Sequence, residues 1–232
     1  MHWIIETMTL LKTKDHNNNT ITVAHRGASA DAPENTIAAF TSAWQQGADV
    51  IEGDFQLTSD GQIVCIHDAD TLRVSGTRLV VKESTLAELR QLNMGWHFHD
   101  QSFDEKIPTI EQVFATIPEN KQILIEIKCG VEILPVLMQK IQLSGLDLSQ
   151  IGVISFDQEV IKQCKLIEPK LIALWLNDFN KINDIDFIVS TLLDIKADGL
   201  LSNNTATDQL RDAVKKQGLI YNLWVADDMS TL

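Results

Sequence analysis

The sequence predicts an α/β fold organised on one parallel sheet, and three observations carry that prediction. From residue 21 onward, short β-branched or apolar runs alternate with stretches of helical spacing. Helix start and stop signals fall between those runs, so the order reads strand, helix, strand. The 232 residues, 44% hydrophobic and 22% charged, supply one sizeable core and too little chain for two large domains.

In chain order, Met1 to Leu11 carries Trp3, Ile4, Ile5, Leu10 and Leu11 but lacks a basic n-region and is interrupted by Glu6. That is not a signal peptide pattern. It reads as a short lead-in, residues 1–20, whose last part, Asp15 to Thr20 with its three asparagines, is the loop before the first strand. Strands are expected at Ile21 to His25, Val50 to Leu57, Ile63 to His67, Ile123 to Lys128, Ile151 to Ser155, Leu171 to Leu176, Gly199 to Ser202 and Ile220 to Val225. Ile37, Phe40 and Trp44 recur at helical spacing after Pro33. Thr85 with Glu88, and Thr109 with Gln112, have the spacing of capping boxes, and Leu210 and Val214 lead to Gly218 at a helix end.

Two features interrupt the alternation. Asp60-Gly61 between two strand patterns is a strong hairpin signal; a two-residue loop there pairs residues whose numbers sum to 121, setting Asp54 opposite His67. Asp70 to Pro108 is a polar, glycine-containing excursion with one short helix, expected as an insertion within a domain spanning 21–232.

Charge excludes some functions. With 19 Lys+Arg against 32 Asp+Glu the net charge is -13, a field that repels nucleic acid and anionic membranes, so an anionic ligand needs a locally positive site. No run reaches the ~20 apolar residues of a membrane span. Cys65, Cys129 and Cys164 are odd in number, scattered and without CxxC spacing, which suits a reducing, cytoplasmic setting rather than a disulfide framework or thiolate zinc site. The composition leaves the oligomeric state open.

The informative anomaly is charge inside strands that otherwise look buried. Glu52 and Asp54 are two apart and share a strand face, as do Glu126 and Lys128. A carboxylate inside a parallel sheet costs several kcal/mol, roughly, unless paired or metal-bound. Three carboxylates against one lysine leave a surplus that one divalent cation would neutralise, and oxygen ligands favour Mg²⁺ or Ca²⁺. His25 ends the first strand and is followed by Arg26; with His67 it makes a pair of imidazoles able to trade a proton across a phosphate ester. Plainer readings exist for each: a structural histidine, a solvated edge strand, a simple Glu126–Lys128 ion pair, an Arg26 paired with a neighbouring acid. The set stands out because all seven residues fall near strand ends.

As an ordered series, His25-Arg26-Gly27, Pro33-Glu34-Asn35-Thr36, Glu52-Gly53-Asp54, Ser59-Asp60-Gly61, His67-Asp68 and Glu126-Ile127-Lys128 resembles the signature of the glycerophosphodiester phosphodiesterase family. Ser155-Phe156, Ala197-Asp198-Gly199 and Asn222-Leu223-Trp224-Val225 match weaker positions, so the resemblance covers residues 21 to about 228. It implies a TIM (β/α)8-type barrel that hydrolyses glycerophosphodiesters, a small-molecule substrate, to glycerol 3-phosphate and an alcohol. It further implies that His25 and His67 are acid and base, that Glu52, Asp54 and Glu126 hold Mg²⁺ or Ca²⁺, that Arg26 and Lys128 contact the phosphate, and that Trp224 walls the glycerol pocket.

The same resemblance implies attack by the adjacent glycerol hydroxyl and hydrolysis of a cyclic phosphate. Departures from the pattern are Val225 and Asp227, where the family has threonine and asparagine. The count also gives seven parallel strands plus the hairpin partner, the last βα unit of an eight-stranded barrel being missing after Leu232. The alternatives are a lysophospholipase D-like activity and a truncated, non-catalytic barrel that binds a phosphodiester.

Overall fold

The structure is a computed structural model and describes residues 3–6, 21–96, 98 and 103–224, of which 3–6 are described by backbone alone. Its strands are β1 (Trp3–Glu6), β2 (Ile21–His25), β3 (Val50–Leu57), β4 (Ile63–Cys65), β5 (Gln122–Ile127), β6 (Ile151–Ser155), β7 (Ile172–Asn177), β8 (Gly199–Asn203) and β9 (Ile220–Trp224). They form one sheet in the order β1-β2-β3-β5-β6-β7-β8-β9, with β4 paired to β3 off that path. Seven of them, β2, β3 and β5 to β9, run parallel in a curled sheet.

Helices cross over between the parallel strands, as right-handed parallel connections require. They are α1 (Ile37–Gln45), α4 (Ile110–Phe114), α5 (Leu134–Ser144), α6 (Gln158–Ile167), α7 (Ile185–Asp194) and α8 (Asp208–Lys216), with α2 (Leu72–Ser75) and α3 (Leu86–Leu89) lying between β4 and α4. Side-chain oxygens start most of them. Thr36 accepts from Ala39 N, Asp157 from Glu159 N, Asp184 from Phe187 N and Thr207 from Leu210 N. Each such cap satisfies an orphan donor and contributes ~1 kcal/mol. The Thr85–Glu88 capping box forms, and Gln112 accepts from Thr109 N.

Strand parity divides the core into two. Ile51 and Phe55 of β3 face the helices, together with Ile123, Ile125, Val153 and Trp175. Val50 faces the other way, into the barrel, where Val23, Leu124, Ile154, Leu174, Leu176 and Leu201 meet it. Burying an Ile, Leu or Phe side chain in either layer is worth about 1.5–3 kcal/mol. The parity that sends Val50 inward also sends Glu52, Asp54 and Gln56 inward, and on β5 it sends Glu126 after Leu124.

Two expectations are corrected. The β3–β4 register pairs Phe55 with Cys65, Gln56 with Val64 and Leu57 with Ile63, sums of 120, so Asp54 is not opposite His67. The loop is three residues, not two: Thr58 N donates to Gln62 O at 2.9 Å, and Gly61 sits at φ +74°, the left-handed position that closes a three-residue hairpin loop. The strand also ends at Cys65, leaving His67 on the segment beyond it. Second, the 70–108 excursion holds α2, α3 and a 3-10 turn at Val81–Glu83, and Val64, Ile66, Val81, Leu89, Met94 and Ile107 pack as a separate apolar cluster there.

Residues 3–6 of the lead-in form a strand, antiparallel to β2, that also lies beside β9. β9 is described as far as Trp224; Val225, Asp227 and the residues after them lie outside the described residues. No described helix is long and apolar enough to cross a membrane, and the three cysteines are free.

Candidate active site

The site is built where β2, β3 and β5 end. Parallel register sets His25 beside Glu52 and Asp54 beside Glu126, so adjacent strands deliver their polar residues to one mouth of the barrel. One carboxylate oxygen of each of Glu52, Asp54 and Glu126 lies within 4.8 Å of the others, and all three residues are buried. Burial there has different consequences for each acid.

Glu52 has no cation of its own: desolvation, then the charges of Asp54 and Glu126, push its carboxyl well above the usual range. Burial and Asp54 likewise push Glu126 up to about 7, against the pull of Lys128. Asp54 goes the other way. Its burial is outweighed by Lys128, Arg26 and the Asn35 amide, which hold its carboxyl below the usual carboxylate range.

Those partners are close. Lys128 Nζ is 3.1 Å from Asp54 Oδ1 and 2.5 Å from Glu126 Oε1, and Arg26 Nε is 3.1 Å from Asp54 Oδ2. Asn35 clamps Asp54 at two points, donating from Nδ2 to Oδ2 at 2.8 Å and accepting at Oδ1 from the Asp54 N–H at 3.1 Å. Arg26 and Asn35 both have left-handed backbones, φ +57° and +58°, an uncommon conformation for such residues that marks functional turns. The turn is tight: Gly27, at φ +79°, lies against α1 so closely that a Cβ would come 2.6 Å from the Ala39 carbonyl carbon. The Arg26 N–H donates to Glu52 Oε2 at 3.0 Å, tying this turn to the carboxylate cluster.

Two histidines flank the cluster. His25 Nε2 is 3.9 Å from Glu52 Oε2, and desolvation together with the Arg26 charge lowers its pKa to about 4, which leaves the ring neutral at pH 7. His67 Nδ1 lies 2.7 Å from Asp68 Oδ1. The His67 segment is held from beneath by Gln56, whose Nε2 donates to the carbonyls of Ile66, His67 and Asp68. His67 therefore reaches the mouth even though the hairpin register does not place it opposite Asp54.

A cavity of about 280 Å³ opens between these groups. Its lining includes the polar His25, Arg26, Glu52, His67, Glu126 and Lys128 and the apolar Leu124, Ile154, Leu176, Leu201, Phe156 and Trp224. The Trp224 ring meets Phe156 edge to face, centroids 5.9 Å apart, and donates from Nε1 to Asn177 O at 3.3 Å. All eight residues singled out from sequence thus converge: seven line the cavity, and Asp54 lies under it in the carboxylate cluster. The donors fit a divalent cation. Buried Glu52 Oε1 accepts no hydrogen bond among the described residues, and hard oxygen ligands in surplus over local cations are the chemistry such an ion requires.

Sequence reading assigned no role to Glu34, Asn35, Gln56 or Asp68. Asn35 and Glu34 had a signal, the polar Pro33-Glu34-Asn35-Thr36 run before α1, which serves both as a helix start and as a source of hydrogen bonds to Asp54 and Arg26. Gln56 had one too, since it continues the inward parity of Glu52 and Asp54.

Comparison with known proteins gives a consistent result. The pattern of the glycerophosphoryl diester phosphodiesterase family matches residues 25–231. A protein of Caldanaerobacter subterraneus subsp. tengcongensis described as glycerophosphodiester phosphodiesterase is 40% identical over 156 residues, 66% of this chain and 64% of that protein. The chain thus matches somewhat less than two thirds of that relative's length. Among solved structures, the glycerophosphodiester phosphodiesterase of Thermotoga maritima superposes with a TM-score of 0.76 at 25% identity, over 92% of this chain and 89% of that one. An Oleispira antarctica phosphodiesterase, solved in complex with the product sn-glycerol-3-phosphate, has a TM-score of 0.77 at 24% identity, over 90% and 85%. These structures share the barrel fold of the present chain.

Proposed function

The chain belongs to the glycerophosphoryl diester phosphodiesterase family, and we propose that it hydrolyses glycerophosphodiesters to glycerol 3-phosphate and an alcohol. The observation that carries this reading is the buried cluster of Glu52, Asp54 and Glu126, set between two histidines and two cations at the mouth of one cavity. It agrees with the description of the Caldanaerobacter relative and with the product held by the Oleispira protein.

In this reading Glu52, Asp54 and Glu126 hold one Mg²⁺ or Ca²⁺. The bound ion would supply positive charge to the phosphate oxygens as negative charge builds on them. Arg26 and Lys128, already at the cavity wall, bind the remaining phosphate oxygens. Neutral His25 takes the proton from the attacking hydroxyl, the glycerol hydroxyl adjacent to the ester. His67, entering this step doubly protonated, gives its Nε2 proton to the departing alcohol oxygen while Asp68 holds Nδ1, which leaves the neutral Nδ1–H ring. Water then opens the cyclic phosphate with the two rings exchanging roles, giving glycerol 3-phosphate and returning both to their starting states. Phe156 and Trp224 enclose the glycerol carbons and keep them from water.

The test is glycerol 3-phosphate release from glycerophosphocholine, measured with added Mg²⁺ or Ca²⁺ and again with EDTA. Cation-dependent release is expected; none from a folded sample would overturn the reading.

A further inference from the structure

Arg73, at the second position of α2, is where two arms of the site meet. Its Nη1 and Nη2 donate to Glu34 Oε2 and Oε1 at 2.7 and 2.8 Å, and its Nε donates to Asp68 Oδ2 at 2.6 Å. Glu34 Oε1 also accepts from Arg26 Nη1 at 3.0 Å, and Asp68 Oδ1 holds His67 Nδ1 at 2.7 Å. The contacts therefore run without a break through Asp54, Arg26, Glu34, Arg73, Asp68 and His67, with acidic groups between the basic ones. Arg73 lines no part of the cavity, yet it is one contact removed from both the phosphate-side arginine and the histidine.

Its chemistry suits that place. A guanidinium presents several N–H donors in one plane, so it can grip both oxygens of Glu34 and still donate to Asp68; an ammonium is a single point charge and cannot span both. Isolated surface ion pairs fix little, but a bidentate pair with a third charged hydrogen bond is geometrically determined. Burial pushes the Glu34 carboxyl up, and the bonds and charges of Arg73 and Arg26 outweigh it, so Glu34 stays ionised between them. An ionised Asp68 only accepts, which puts the proton of a neutral His67 on Nδ1 and leaves Nε2 with the lone pair.

We propose that Arg73 is a positioning residue that locks the His67 ring through Asp68 and the Arg26 side chain through Glu34. The proposal rests on the hydrolytic role given to His67 and Arg26 above. Arg26 keeps its Asp54 contact when Arg73 is removed, whereas Asp68 loses its anchor, so the effect falls mainly on turnover.

The experiment compares Arg73→Ala, Arg73→Lys and the control Arg78→Ala, whose exposed Arg78 pairs with Asp70 in the same insertion. Arg73→Ala is expected to lower kcat about tenfold to a hundredfold, the usual cost of losing such a supporting contact, with KM changed by less than about threefold. Guanidinium ion, added far below denaturing concentrations, restores part of that kcat because Arg73 is 47% exposed and its place is open to solvent. Arg73→Lys recovers less than guanidinium does, and Arg78→Ala matches the wild type.

A second measurement needs no substrate: the ¹⁵N spectrum of His67, recorded at alkaline pH where the ring is neutral and assigned by its loss in His67→Asn, shows the Nδ1–H tautomer in the wild type and a mixture in Arg73→Ala. A kcat within about twofold of wild type, or an unchanged His67 tautomer in Arg73→Ala, overturns the proposal. If the wild type cleaves no glycerophosphodiester, the functional reading fails and the tautomer alone decides the role of Arg73.

Discussion

The barrel interior has two halves that obey the same strand parity and carry opposite chemistry. In register, Asp54 of β3 lies beside Glu126 of β5, Glu126 beside Ile154 of β6, and Ile154 beside Leu174 of β7. Charge stops between β5 and β6, one strand spacing apart. On the charged side, three buried acids are balanced only in part by Lys128 and Arg26. On the apolar side, Ile154, Leu174, Leu176 and Leu201 fill equivalent inward positions and need no partner. The difference separates the two tasks of one wall: β6 to β9 turn uncharged groups inward, while β2, β3 and β5 keep Val23, Val50 and Leu124 in the apolar layer and give their remaining inward positions to charge.

The sharpest way to break this comparison is to remove a reacting group from the charged half and see whether the fold notices. His67→Ala should lower kcat by about 10²- to 10⁴-fold, the range for losing a general acid or base. Its thermal midpoint should stay near that of the wild type, because the side chain is a third exposed and packs in neither core cluster. Retained turnover would remove His67 from the reaction.

The converse change lies in the apolar half. Leu174→Ala empties a fully buried position and should cost about 2–5 kcal/mol in denaturant unfolding while kcat changes little. A larger effect on kcat than on stability would show that the two halves are not separable.

The pH dependence of cation binding sharpens the comparison further. Burial and Asp54 raise the Glu126 carboxyl to about 7, so below that pH the cation-free site carries a proton there that a bound cation must displace. Affinity should therefore fall as pH drops through about 7, by about tenfold per unit (about 1.4 kcal/mol) for each proton displaced, Glu52, also raised by burial, adding to the dependence. Calorimetry in buffers of different ionisation enthalpy would register the released proton; affinity independent of pH between 5.5 and 7 would contradict the shift.

The smallest effect is expected at the edge between the halves. Trp224→Phe keeps an aromatic wall against Phe156 and loses the hydrogen bond to Asn177 O, worth about 1 kcal/mol. It should raise KM a few-fold at most, whereas Trp224→Ala should raise it more.

Much of this was legible in the sequence because it follows from local periodicity. The inward placement of Glu52 and Asp54 needs only that Val50–Leu57 is a strand, and that of Glu126 only that β5 is one. His25 and Arg26 follow from the end of β2. What was not legible depended on single backbone angles or on pairs distant in sequence.

The hairpin register turned on whether Gly61 closes a two- or three-residue loop, and one residue of slip moves every pairing. The bond from Arg73 to Glu34 joins residues 39 positions apart, which no spacing rule anticipates. The strand at Trp3–Glu6 follows no local rule either: four residues take that form through pairing with β2.

That strand has a practical consequence. β2 climbs toward the mouth at His25, and β1 descends beside it, with Trp3 opposite Ala24 and Glu6 opposite Ile21. The backbone at Trp3 therefore stands on the rim of the cleft, as does Trp224 on β9. A bulky group introduced on this strand beside Trp3 would stand close to the cleft. Handles for immobilisation belong on the opposite face, in the turns at Gly145 and Gly218 that lead back from helices into the sheet.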